Sequence, residues 1–144
     1  MTFPIEIAAR LVKEFEGCRL SAYQDTGGVW TVGYGATGPD IGEGVTWTQE
    51  QADTRLEHDL AEANEALHKH TTLYLFENQE AALTSFVFNL GETQFSGSTL
   101  LKKVNTGDAI GAALEFTKWY FDNKKPIKGL LRRRLTEAAL FLKT

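Results

Sequence analysis

Apolar residues recur at helical spacing from the start of the chain. Ile5, Ala8, Leu11, Val12 and Phe15 share one face, Pro4 suits a first turn, and Gly17 supplies a stop, so a first helix ends on Glu16. From Arg19 to Thr37 the pattern changes. Gly, Tyr, Trp and Val gather around the turn Asp25-Thr26-Gly27-Gly28, which predicts a small antiparallel hairpin or meander, the only β region expected. Thr48 and Gln51 then form a capping-box signal, opening a helix of about five turns with the stripe Ala52, Leu56, Leu60, Ala63 and Leu67. Further helical patterns cover about 79–90, with Gly91 as stop, 98–105, 108–120 and 130–142.

These elements predict an α+β fold of two lobes in one domain spanning 1–144. A small N-terminal lobe with the hairpin covers about 16–47, a long connecting helix about 48–68, and a larger all-helical C-terminal lobe about 69–144, on which the first helix packs. Clefts between lobes are common ligand sites.

Composition adds little that is unusual: 42 % hydrophobic and 24 % charged residues describe an ordinary folded chain, expected to be a monomer. A lone cysteine, Cys18, excludes an internal disulfide and a multi-cysteine metal site. No metal is expected, because His58, His68 and His70 lack metal-ligand spacing with a third ligand and read as surface residues. The apolar start is interrupted by Glu6 and Arg10, which predicts neither a signal peptide nor stable membrane insertion. The expected location is the cytoplasm of the producing host cell, with release depending on a separate membrane-permeabilising protein. Charge is unevenly placed. Residues 1–80 hold 14 acids and 5 bases, whereas residues 81–144 hold 5 acids and 10 bases, a bias that suits an anionic polymer or simply a solvated face.

Glycoside hydrolysis requires an acid to protonate the leaving oxygen and a carboxylate to activate water or attack the sugar. Glu16 and Asp25 are candidates. At a helix C-terminus Glu16 meets unpaired carbonyls, which disfavour its anion, while Asp25 opens a turn whose amides can keep it ionised. Strand alternation from Val29 puts Trp30, Val32 and Tyr34 on one face and Thr31, Gly33 and Gly35 on the other. Thr31 is therefore expected on an open surface, able to hold a water beside Asp25.

The run from Glu16 to Thr26, continued by Trp30-Thr31-Val32-Gly33-Tyr34-Gly35, resembles the active-site region of phage lysozymes of glycoside hydrolase family 24, where Glu, eight residues, Asp, five residues and Thr recur. Similarity continues through Ser85-Phe86-Val87-Phe88-Asn89-Leu90-Gly91, Ser98 to Leu101, Asn105 to Asp108, Trp119 and Gly129 to Arg134, covering almost the whole chain. The resemblance implies a two-lobed lysozyme fold without a cofactor. It also implies cleavage of peptidoglycan between N-acetylmuramic acid and N-acetylglucosamine, with inversion. Glu16 would be the acid, and Asp25 and Thr31 would place the water, with carboxyls about 6.5 to 9.5 Å apart. Phe88 and Asn89 fall where the family's helical lobe lines the cleft, although a core aromatic and a helix-end amide explain them equally well, and Thr37 is expected to reach the substrate. Ala36 departs from the pattern, since many relatives carry His there and the ion pair it makes is missing.

Of Arg132, Arg133 and Arg134, at most two can face the cleft, because adjacent helix positions diverge by about 100°. One facing Glu16 would oppose the helix-end effect, and those not facing the cleft are expected in solvent. Two rivals remain: a lytic transglycosylase, which would not need Asp25 and Thr31, and a module binding nucleic acid through its basic end. Few aromatics interleave with those bases, so no nucleic-acid partner is expected.

Overall fold

The computed structural model describes residues 2–143. Helix α1 (Phe3–Glu16) carries Pro4 in its first turn and ends at Gly17, whose φ of 67° suits a residue without a side chain. Strands β1 (Arg19–Gln24) and β2 (Trp30–Gly33) form an antiparallel pair with Tyr23 opposite Thr31 and Gln24 opposite Trp30. The chain then returns along β1, where Ala22 N–H donates to Val45 O and Trp47 N–H to Leu20 O. The small lobe closes on Val32, Ala36 and Ile41, packed by Ala22, Trp30 and Trp47.

Helix α2 (Gln49–His70) opens with the expected capping box: Gln51 N–H donates to Thr48 Oγ1, and the Gln51 side chain accepts from Thr48 N–H. Helix α3 (Glu77–Leu90) is the axis of the large lobe. Seven consecutive residues, Ala81 to Val87, are buried, because α1, α2 and a later helix cover its sides. Ile5, Ala8 and Val12 of α1 pack on Leu56 and Leu60 of α2 and Ala81 of α3, which seats the first helix against both. Phe86 lies edge-on to Phe95, Phe116 and Trp119 at 5.5–6.2 Å, a geometry that adds to plain burial.

Several boundaries differ from the sequence reading. A short helix α4 (Glu92–Ser96) follows Gly91, too brief to show a period. Helix α5 (Thr99–Asn105) starts on its Ser98 cap as predicted. Helix α6 (Ala109–Phe116) stops four residues before Tyr120. The chain instead forms a second hairpin, β3 (Phe121–Asp122) and β4 (Lys125–Pro126), turning through Asn123 and Lys124 with φ of 49° and 65°. The C-terminal lobe is therefore not all helical. Such tight turns favour Asn-Gly, and Lys in the glycine position hides the signal. Helix α7 (Lys128–Leu142) completes the lobe. No helix among the described residues is long and apolar enough to cross a membrane.

Candidate active site

Asp25 sits where the sequence places it, at the head of the first hairpin. Its Oδ1 accepts from Gly27 N–H at 2.8 Å and Val29 N–H at 2.9 Å, the turn geometry its position predicts. Val29 is the hub of the turn, for its carbonyl accepts from Asp25 N–H at 2.9 Å and from Thr31 Oγ1 at 3.0 Å. The Asp25 N–H and the Thr31 hydroxyl thus donate to the same Val29 carbonyl. Thr31 does not lie on an open face, however: it is only 5 % exposed. The surface expected beside it is closed too, since a Cβ on Gly33 would meet the Trp47 ring at 3.0 Å. With its proton committed to Val29, the Thr31 hydroxyl offers lone pairs rather than a donor.

Glu16 makes its contacts elsewhere. Its Oε2 is held directly by Arg133 Nη1, and its Oε1 lies 3.3 Å from where a Cβ on Gly35 would project. Arg133 is the arginine that faces this end of α1. Arg132 is exposed, with its guanidinium 5.6 Å from the Phe15 ring centroid. Arg134 is not in solvent as expected but fully buried, donating to Asn89 Oδ1 at 2.7 Å. Two buried arginines leave no basic patch there for phosphate.

Behind Glu16 lies a group the sequence reading missed. Glu137 is fully buried, and its Oε2 accepts from Ser85 Oγ at 2.6 Å and from Arg133 Nε at 3.4 Å. Arg134 Nε lies 2.9 Å from the other oxygen without hydrogen-bond alignment, and Arg134 Nη1 has no partner among the described residues. Burial pushes the Glu137 carboxyl up from its ordinary range against the pull of both guanidiniums, and lowers Arg134 to about 10. The signal was present only as Glu137 falling three and four positions after the two arginines.

A cleft of about 400 Å³ separates the lobes, with Gly35, Ala36 and Thr37 on one side and Glu62, Phe88 and Glu92 among its other walls. Larger hollows of about 600 and 630 Å³ lie beside Trp47 and Tyr74, but neither is lined by Gly35. Glu16, Asp25 and Thr31 are not among the cleft's lining residues, and Glu16 approaches it through Gly35. Thr37 and Phe88 therefore line the cleft. Asn89 is not among its lining residues and has its carbonyl oxygen held by Arg134.

The support thought missing at Ala36 has a substitute. Ala36 pairs with Val32 by two backbone hydrogen bonds, and Arg55 Nη2 donates to Thr37 O at 2.8 Å while its Nε grips both Asp59 oxygens. His70 is a further correction, being half-buried and 2.8 Å from the cleft residue Glu92. His58, Asp59 and Glu62 place possible ligand atoms within 4.8 Å of one another, but Arg55 already neutralises Asp59.

Comparison with known proteins adds independent support. A family profile described as phage lysozyme matches residues 13–137. The endolysin of Acyrthosiphon pisum secondary endosymbiont phage 1 is 45 % identical over 135 residues, covering 91 % of this chain and 92 % of that protein. Among solved structures, the muramidase domain of SpmX from Asticaccaulis excentricus superposes with a TM-score of 0.88 at 38 % identity, covering 95 % of each chain. A variant of P22 lysozyme gives 0.85 at 37 % identity, covering 94 % of this chain and 95 % of that one. By the family profile over most of its length, the endolysin relative and the lysozyme structures it superposes on, the chain belongs to the phage lysozyme family, glycosidase-type enzymes that degrade peptidoglycan.

Proposed function

We propose that this chain hydrolyses the β-1,4 bond between N-acetylmuramic acid and N-acetylglucosamine by a single displacement that inverts the anomeric carbon. Glu16 protonates the leaving oxygen, and Asp25 takes a proton from the attacking water. The observation that carries this reading is the hydrogen bonding around Val29. Asp25 Oδ1 is occupied by amides, Oδ2 has no hydrogen-bond partner among the described residues, and Thr31 Oγ1 can only accept. A water donating one proton to Asp25 and one to Thr31 keeps a lone pair free to attack the sugar. Thr37 and Phe88 contact the glycan from the cleft walls, and Asn89 has only its amide nitrogen to offer.

Clearing of permeabilised Gram-negative cells by wild type and Glu16→Gln tests the acid. Loss of clearing with an unchanged melting profile is expected, and wild-type clearing by the variant overturns the assignment. Product analysis tests the water. A reducing muramic end supports hydrolysis, whereas a 1,6-anhydro end means that the sugar's own hydroxyl attacked and that the enzyme is a transglycosylase. Early-time NMR of the released anomer decides between inversion and retention.

A further inference from the structure

The mechanism uses Glu16, yet Glu16 is one end of a buried chain of charges it does not explain. Arg133, only 3 % exposed, reaches Glu16 with Nη1 and Glu137 with Nε, and its Nη2 lies 3.3 Å from Ser85 Oγ. One guanidinium is therefore shared between a partly exposed acid at the end of α1 and an acid sealed inside the lobe. Two arginines and two carboxylates make the cluster neutral when all four are charged.

We propose that Glu137 is a positioning residue for the reaction: by sharing Arg133, it orients that guanidinium and limits how much of its positive charge acts on the Glu16 carboxyl. The inference rests on Glu16 being the general acid. An unshared arginine would bind the Glu16 anion fully and make a poorer proton donor. A buried ion pair often contributes little net stability against apolar residues of the same size. Countercharge on the guanidinium that holds the acid gives the buried glutamate a function.

The charged surroundings are few. Glu137 faces Arg133 and Arg134 from its own helix and the Ser85 hydroxyl from α3. Helix α6 packs on α7 with Ala112, Ala113 and Phe116 buried in the shared core, and its acid Glu115 is paired with Lys118. Near Glu16, Lys13 is paired with Asp53 and Arg19 lies on the Tyr23 ring. Asp25 is engaged by its turn.

The test is the pH profile of kcat/KM on peptidoglycan for the full chain and for Glu137→Gln, Glu137→Asp and Ser85→Ala. Glu137→Gln leaves the cluster one positive charge in excess, so the basic limb moves to lower pH by about one unit. Glu137→Asp restores the charge and brings the limb back toward wild type. Ser85→Ala, which removes a hydroxyl from both Glu137 and Arg133, shifts the limb in the same direction by less, and serves if Glu137→Gln does not fold. A folded Glu137→Gln whose rate falls equally at every pH, or Ser85→Ala with an unmoved limb, overturns the proposal. Glu16→Gln separates the two readings. If it is active, the assigned acid fails; if it is inactive and the limbs stay put, only the role of Glu137 fails.

Discussion

Arg133 holds the carboxylate of Glu16 across 117 positions of sequence, fastening the end of the first helix to the last. The same guanidinium reaches Ser85 on the central helix, so the acid's position depends on three helices at once. Replacing Arg133 by Met leaves Glu16 without its partner and Glu137 with only Arg134 and Ser85, and is expected to cost about 3–5 kcal/mol in urea unfolding. Arg133→Lys should recover less than half of that loss, because an ammonium cannot span Glu16 and Glu137 as the fork does. Equal stability of Arg133→Met and wild type would show that the pair is dispensable.

Asp25 combines two duties that one substitution separates. Asn keeps an oxygen for Gly27 N–H and Val29 N–H but loses the charge. Asp25→Asn should melt within about 1 kcal/mol of wild type and clear cells about a hundredfold more slowly. Asp25→Ala should lose both properties.

Thr31 keeps its hydroxyl role in Thr31→Ser and forfeits it in Thr31→Ala. The alanine variant loses the hydrogen bond to Val29 O, worth about 1 kcal/mol, and an acceptor for water, slowing turnover roughly 10- to 100-fold. Serine close to wild type in rate, with alanine slow at matched folding, is the expected outcome of steady-state assays.

Gly35 is where backbone conformation and chemistry meet. Its φ is 85°, and a side chain there would approach Glu16 Oε1 to 3.3 Å. Gly35→Ala should cost about 1–2 kcal/mol in thermal unfolding and reduce kcat by more than the folded fraction falls. An activity loss matching the unfolded fraction would assign the glycine to the fold alone.

Acid pH should weaken the joint between α2 and α4. The hydrogen bond from His70, followed by the charge of Lys69, holds the Glu92 carboxyl below its ordinary range. A depressed carboxylate contributes stability that is present above its unfolded value and lost as pH falls through the lower folded value. Urea unfolding of wild type and Glu92→Gln should therefore differ at neutral pH and converge as pH drops through that window. A gap that persists at the lowest pH would point to packing instead.

Much of this molecule could be read from local pattern. A period near 3.6 with Pro4 before it and Gly17 after it fixed the first helix to Glu16, and Thr48 with Gln51 marked the start of the long one, because caps and stripes are properties of neighbouring residues. The Asp25 turn was equally local, its acceptor and donors lying within four residues. The short α4 escaped because five residues cannot establish a period, and the second hairpin because Lys124 stands where Gly would announce it.

Tertiary structure decided the rest, since burial and charge depend on what arrives from elsewhere. Thr31 followed strand alternation onto its face, but Trp47 and its neighbours closed the lobe around it. Three adjacent arginines look alike in the sequence. Packing on α1 and α3 put Arg132 over Phe15, Arg133 on Glu16 and Arg134 out of solvent beside Asn89. The sequence by itself determined the local elements and the candidate residues they carry. Only the fold decided which of them share a charge, because Coulomb and desolvation energies follow distance and exposure in space rather than order along the chain.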